Sequence, residues 1–124
     1  MGREFDVEIL GSTWKVLLRK ESEEKRFADC SGFTDWTNRT IYVLDRMDDS
    51  NLSAPVAYLM KVLRHEIVHA FLFESGLGDD WTHAEYGHEE TVVDWIAYQI
   101  HKIEMVCCGA EEKMRCILKG DVVA

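Results

Sequence analysis

A chain of 124 residues, 47% of them hydrophobic and only one a proline, can bury a core of its own and reads as one folded domain, 1–124, rather than a disordered segment. Its 23 acidic residues against 14 basic ones leave a formal charge of -9. That balance argues against a nucleic-acid partner and a membrane-surface partner, both of which demand a basic face.

The amino-terminal stretch, MGREFDVEILG, has no apolar run of signal-peptide or membrane-spanning length, and Asp6 stands where a myristoylation motif needs Ser or Thr. The expected location is the cytoplasm. Phe5, Val7 and Ile9 alternate with Asp6 and Glu8, and Trp14, Val16 and Leu18 alternate with Lys15 and Arg19. A period of two predicts two strands, joined into a hairpin by a turn at Gly11-Ser12-Thr13. The charged run from Glu21 to Arg26, ESEEKR, predicts a solvated connection. Phe27 to Phe33 and Thr40 to Leu44 predict a second extended pair around the polar turn DWTNR.

The second half changes period. Ser53 and Pro55 form a helix start signal, and Gly76 with Gly78 a stop signal. Between them, VAYLMKVLRHEIVHAFLF is apolar nearly all round, which predicts a helix packed on several sides. After the loop GLGDDWTHAEYG, Val92, Val93, Ile96, Ala97, Ile100 and Ile103 hold a helical period over 88–104, and a short third helix is expected over Ala110 to Leu118. Trp14, Trp36, Trp81 and Trp95 are expected in the core and against the sheet. Cys30, Cys107, Cys108 and Cys116 lack the paired spacing of a cysteine zinc site and, with no secretory signal, read as reduced thiols.

The chemistry concentrates in LRHEIVHAF. His65 and His69 are four apart, so on a helix they share a face and can meet one ion. Glu66, roughly 100° further round the axis, lies beside that ion rather than on it. This is the mechanical sense of H-E-x-x-H: two imidazole ligands and a carboxylate held at the metal's water. The competing reading is a pair of core histidines, but burying two histidines and a glutamate without partners is costly, and a metal removes that cost. Glu90 and Asp94, again four apart in HEETVVDWIA, offer a third ligand and a hydrogen-bond partner for a ligand histidine, leaving one zinc position open. Glu89 competes with Glu90, although only Glu90 has an acid four residues on. His88 offers an alternative histidine third ligand, while His101 reads as a surface or capping residue.

HExxH at 65–69 with E-x-x-x-D at 90–94 resembles the gluzincin group of zinc metallopeptidases. The chain length and the segment ETVVDWIA are similar to its smallest members, the minigluzincins and the ImmA/IrrE-type metallopeptidases of phages and mobile elements. GFTDWTNRTIYVL, ahead of the histidine helix, resembles their sheet edge. The resemblance covers Gly32 to Ile103 and implies His65, His69 and Glu90 as zinc ligands, Glu66 as general base and Asp94 as the acid behind the ligands. It leaves the oxyanion-steadying residue open between His83 and Tyr86. A separate domain that closes over a cleft is not expected from these residues. Metzincin spacing is excluded, because Leu72 stands where that clan has glycine and no histidine follows at its spacing.

The expected fold is α+β, a small and mostly antiparallel amino-terminal sheet packed on the histidine helix and on a following helix that carries Glu90. The expected activity is Zn2+-dependent hydrolysis of a peptide or protein substrate, with an extended substrate added to a sheet edge near Ile41 to Val43. The alternative is a zinc-binding but latent or non-catalytic regulator, with the segment CILKGDVVA as a plug if it is not a frayed end or edge strand.

Overall fold

The alternation of Phe5, Val7 and Ile9 builds strand β1, Glu4–Ile9, and that of Trp14, Val16 and Leu18 builds β2, Ser12–Arg19. All six of these side chains are buried. The computed structural model describes residues 3–76 and 90–120, with the side chains of 90–94 and 97 outside the description. The β1–β2 turn lies earlier than the sequence suggests. Ser12 already pairs with Ile9 and Thr13 with Glu8, so only Leu10 and Gly11 span the hairpin, both at positive φ (50° and 88°). A two-residue turn of that kind matches the twist of the strands it joins, and glycine supplies the second position without a Cβ penalty.

The run ESEEKR is a mostly exposed connection, as expected, and it is ordered. It forms two single 3-10 turns, Glu21–Glu23 and Lys25–Phe27. The second of them buries Phe27, which is therefore not part of a strand. Extended structure resumes only at β3, Gly32–Asp35, which pairs antiparallel with β4, Thr40–Leu44. Phe33 stacks on Tyr42 with ring centroids 4.4 Å apart, and Arg26 lies 4.8 Å from each ring on that face of the sheet.

The sheet order is β1-β2-β4-β3, and β4 runs parallel to β2 and antiparallel to β3. β4 is therefore interior. Its backbone is paired on both sides, and Ile41 and Val43 are fully buried. This overturns the expectation of a substrate-receiving edge at Ile41 to Val43. Among the described residues the free edges of the sheet are β1 and β3.

Helix α1, Pro55–Glu74, opens on a proline, whose missing N–H is harmless in a first turn. It stops at Gly76, which takes φ 87° while its N–H bonds the Phe73 carbonyl. Leu59, Leu63, Ile67, Ala70 and Phe71 press one side of α1 onto the sheet residues Val16, Leu18, Ile41 and Val43. Among the described residues, α1 keeps one side uncovered. Lys61, Arg64, His65, Val68 and His69 form an open face.

The final helix, α2, runs unbroken from Glu90 to Leu118 and replaces the two separate helices expected there. Ile103, Cys107, Ala110, Met114 and Ile117 carry one apolar stripe through the supposed break and join the core. Gly109, on the outside of this stripe, costs a helix interior only about 1 kcal/mol, which packing offsets. Cys116 to Leu118 are thus helix rather than plug or edge strand, and residues 121–124 lie outside the described residues. Lys113 ties α2 to β1 through the Asp6 carbonyl (2.9 Å), and Arg64 on α1 reaches Glu111 (3.4 Å). The architecture is α+β, a four-stranded mixed sheet packed against two helices. Among the described residues no helix is long and apolar enough to cross a membrane. The four cysteines are free thiols, and burial pushes that of Cys107 up to about 11.

Candidate active site

On the open face of α1 the spacing of His65 and His69 has its geometric result. Their Nε2 atoms face each other 3.2 Å apart, with ring centroids at 4.9 Å. Both rings are exposed, so the idea of two buried histidines relieved by a metal does not describe them. Only Glu66 is buried, at 5% exposure. One position further round the helix, its carboxylate turns under the histidines toward the sheet, with Oε2 4.0 Å from His65 Nε2.

What receives Glu66 is β3. Along this strand the side facing α1 is formed by Gly32 and Thr34, opposite the buried Val43 and Ile41. Thr34 Oγ1 donates to Glu66 Oε1 at 2.8 Å and also lies 3.2 Å from the Glu66 carbonyl. A Cβ on Gly32 would fall 2.6 Å from Val62 Cγ1, 3.1 Å from the Tyr42 carbonyl oxygen and 3.2 Å from Glu66 Cγ. Glycine at 32 therefore lets β3 approach α1 closely enough for Thr34 to hold the carboxylate. Neither residue stands out in the sequence as functional. The available signal is the failure of apolar alternation in GFTD, where a glycine and a threonine occupy the helix-facing positions.

Beside the carboxylate opens a cleft of about 230 Å³, bounded by Ser31 and Gly32 on one side and by Tyr58, Lys61, Val62 and His65 of α1 on the other. Past the histidines, Trp36 stacks on Phe73 at 6.0 Å between centroids. Trp36 is 52% exposed, so it is not the core residue expected of it. Trp14 is fully buried with its Nε1 donating to Glu74 (2.8 Å), and Trp95 donates to Ser75 Oγ (3.1 Å). His101 is exposed.

The histidine pair has the donor set and spacing of half a zinc site. Two nitrogens on a tetrahedral ion at about 2.0–2.1 Å sit about 3.3 Å from each other, close to the observed separation. Glu66 stands beside that position with one oxygen engaged by Thr34. Among the described residues no three His, Cys, Asp or Glu side chains converge as a metal-binding group. Glu90 opens α2 and Asp94 follows one turn on, but their side chains lie outside the described ones. Trp81, His83, Tyr86, His88 and Glu89 also fall outside the described residues. Comparison with protein-family models, with curated proteins and with solved structures gave no match.

Proposed function

We propose that this chain is a gluzincin-like, zinc-dependent peptide hydrolase. In this reading His65 and His69 hold the ion, Glu90 completes the ligand set, Asp94 steadies a ligand from behind, and Glu66 is the general base. The observation that carries it is the approach of two exposed imidazole nitrogens to 3.2 Å beside a buried carboxylate. Zinc, when bound, acidifies water at neutral pH and polarises the scissile carbonyl. Glu66 takes a proton from the attacking water and returns it to the departing amine. The Thr34 hydroxyl fixes one oxygen of that base and leaves the other, on the His65 side, for proton transfer. An extended substrate adds to the outer edge of β3, whose backbone pairs only with β4 among the described strands.

Glu90 imposes a condition on the start of α2. Trp95 is bonded to Ser75, which lies about 9 Å along the axis of α1 from His69. For Glu90 to reach the histidines, its side chain and the start of α2 have to span that distance.

The test is zinc content and peptide turnover, measured together on wild type and four variants. Wild type is expected to hold roughly one zinc per chain, and His69→Ala to lose it. Glu66→Gln keeps the zinc and loses about 10²–10⁴-fold in turnover, because the glutamate is a base and not a ligand. Glu90→Ala weakens zinc binding far more than Glu89→Ala. A folded wild type that takes up no zinc overturns the proposal. Equal effects of the two glutamate variants overturn the choice of third ligand.

A further inference from the structure

Tyr58, Lys61 and His65 follow each other at helical spacing on α1, so one stripe leads from the cleft to the histidine pair. Lys61 is exposed at the cleft and makes no ion pair among the described residues. That is notable in a chain with a net charge of -9, where most other lysine and arginine side chains on the sheet side are paired to carboxylates. Behind the cleft wall lies a polar relay. Arg46 Nη1 donates to Ser31 Oγ at 3.2 Å, and Ser31 Oγ is 2.9 Å from the Tyr58 hydroxyl. A guanidinium can only donate, so Ser31 Oγ accepts from Arg46, and either hydroxyl of the Ser31–Tyr58 pair can donate to the other. Tyr58 lines the cleft, and in the arrangement where Ser31 donates, the phenol proton is available there. Arg46 is itself held by Asp49 and lies over the Tyr58 ring, 5.0 Å from its centroid.

The cleft thus presents two side chains that can donate, an ammonium and a phenol, while Thr34 engages one oxygen of its own carboxylate, Glu66. We infer that this cleft is a specificity subsite for a carboxylate, held by Lys61 and Tyr58 beside the histidine pair. That the carboxylate belongs to a substrate rests on the hydrolase reading above. An ionised carboxylate accepts only, and it matches a lysine with three N–H donors and a hydroxyl able to donate. The carboxylate has two sources, an acidic side chain within a peptide or a free carboxyl terminus.

Peptide binding, followed by amide shifts around Ser31 and Gly32, tests the site without turnover. The probes are blocked peptides identical except for one glutamate, glutamine or lysine, and an acetylated alanine tripeptide with a free or an amidated terminus. They are titrated into zinc-supplemented Glu66→Gln protein, alone and combined with Lys61→Met or Tyr58→Phe. The expected result is binding about tenfold tighter for the carboxylate member of a pair, about 1.4 kcal/mol, abolished by Lys61→Met and reduced by Tyr58→Phe. Preference confined to the glutamate peptide identifies a side chain as the occupant, and preference confined to the free tripeptide identifies a chain end. Equal affinity for charged and neutral members, or a preference that survives Lys61→Met, overturns the subsite. Cleavage by wild type is run in parallel, which separates the two ideas. Cleavage without acid preference defeats the subsite alone, whereas acid preference without any zinc-dependent cleavage defeats the hydrolase reading alone.

Discussion

The two edge strands of the sheet are built on opposite principles. β1 buries Phe5, Val7 and Ile9 and turns Glu4 and Asp6 outward to Lys15 and Arg19 of the neighbouring strand. α2 then closes over it, with Lys113 bonded to the Asp6 carbonyl. β3 has no fully buried residue, and the two residues it turns toward α1 are a glycine and a threonine. The first edge is arranged for stability. The second gives up apolar burial so that a strand can lie against a helix and grip a carboxylate.

If that contrast is right, damage to the closed edge is thermodynamic and leaves the site's chemistry alone. Ile9→Ala removes a fully buried side chain from the core and is expected to cost about 2–5 kcal/mol in denaturant unfolding. Zinc affinity and turnover per folded molecule should remain those of wild type. A change in either, measured well below the unfolding transition, would break the separation of the two edges.

Gly32→Ala tests the junction between them. The new methyl falls 2.6 Å from Val62 Cγ1 and 3.1 Å from a backbone oxygen, so β3 and α1 have to part. Overpacking of this kind costs about 1–3 kcal/mol. Here the loss should come with a drop in turnover, since parting the two elements pulls Thr34 from Glu66. Stability loss with full activity would show that the close approach serves packing only.

The same contrast explains which parts of this fold are legible in the sequence. Periodicity reports burial, so β1, β2, β4 and α1 can be read from Phe5, Trp14, Ile41 and the span from Pro55 to Gly76. It gives no information where burial is partial. Phe27 looks like strand because it is apolar, yet it is buried from a 3-10 turn. The break expected in α2 between 104 and 110 is absent, because the stripe from Ile103 to Ile117 runs through it. The parallel pairing of β2 with β4 is a long-range choice that no local pattern encodes, and it is what moves the free edge from Ile41 to β3. Within the site, the spacing of His65, Glu66 and His69 is a local property of one helix and could be read directly. Ser31 acts only through tertiary contact, and for Gly32 and Thr34 the one local signal is the lapse of apolar alternation in GFTD, which does not say what they touch.

Thr34→Val is the isosteric probe of the open edge. It keeps the volume and removes the only side-chain hydroxyl that donates to Glu66 among the described residues. We expect kcat to fall about tenfold, equivalent to about 1.4 kcal/mol of lost positioning, with KM and zinc content unchanged. Thr34→Ser should restore the rate. On the hydrolase reading, a Thr34→Val protein with wild-type kcat, or a Thr34→Ser protein as slow as Thr34→Val, would remove Thr34 from the mechanism and leave it as packing.

The smallest effect lies in acid, and Asp45 and Glu74, both outside β3, contribute to it. Burial pushes the Asp45 carboxyl up, but the Met47 N–H, Arg3 and Lys20 outweigh it and hold the group below the ordinary carboxylate range. Glu74 behaves alike, with burial outweighed by Arg39 and the Trp14 indole. A carboxylate held low in the folded state stabilises it fully above the unfolded pKa of about 3.9 for Asp or 4.3 for Glu, and that stabilisation is lost as pH falls through the folded value. Stability to denaturant should therefore decline below about pH 4, and Asp45→Asn should flatten that decline while lowering stability at neutral pH. These two carboxylates clamp β4 to the Arg3 end of β1, and α1 to β2 and to Arg39 in the β3–β4 turn, without bonding Thr34 or Glu66. The acid decline should accordingly be the same in Thr34→Val as in wild type. A decline that instead tracks Thr34 would mean that the open edge carries folding stability as well, and the division between the two edges would fail.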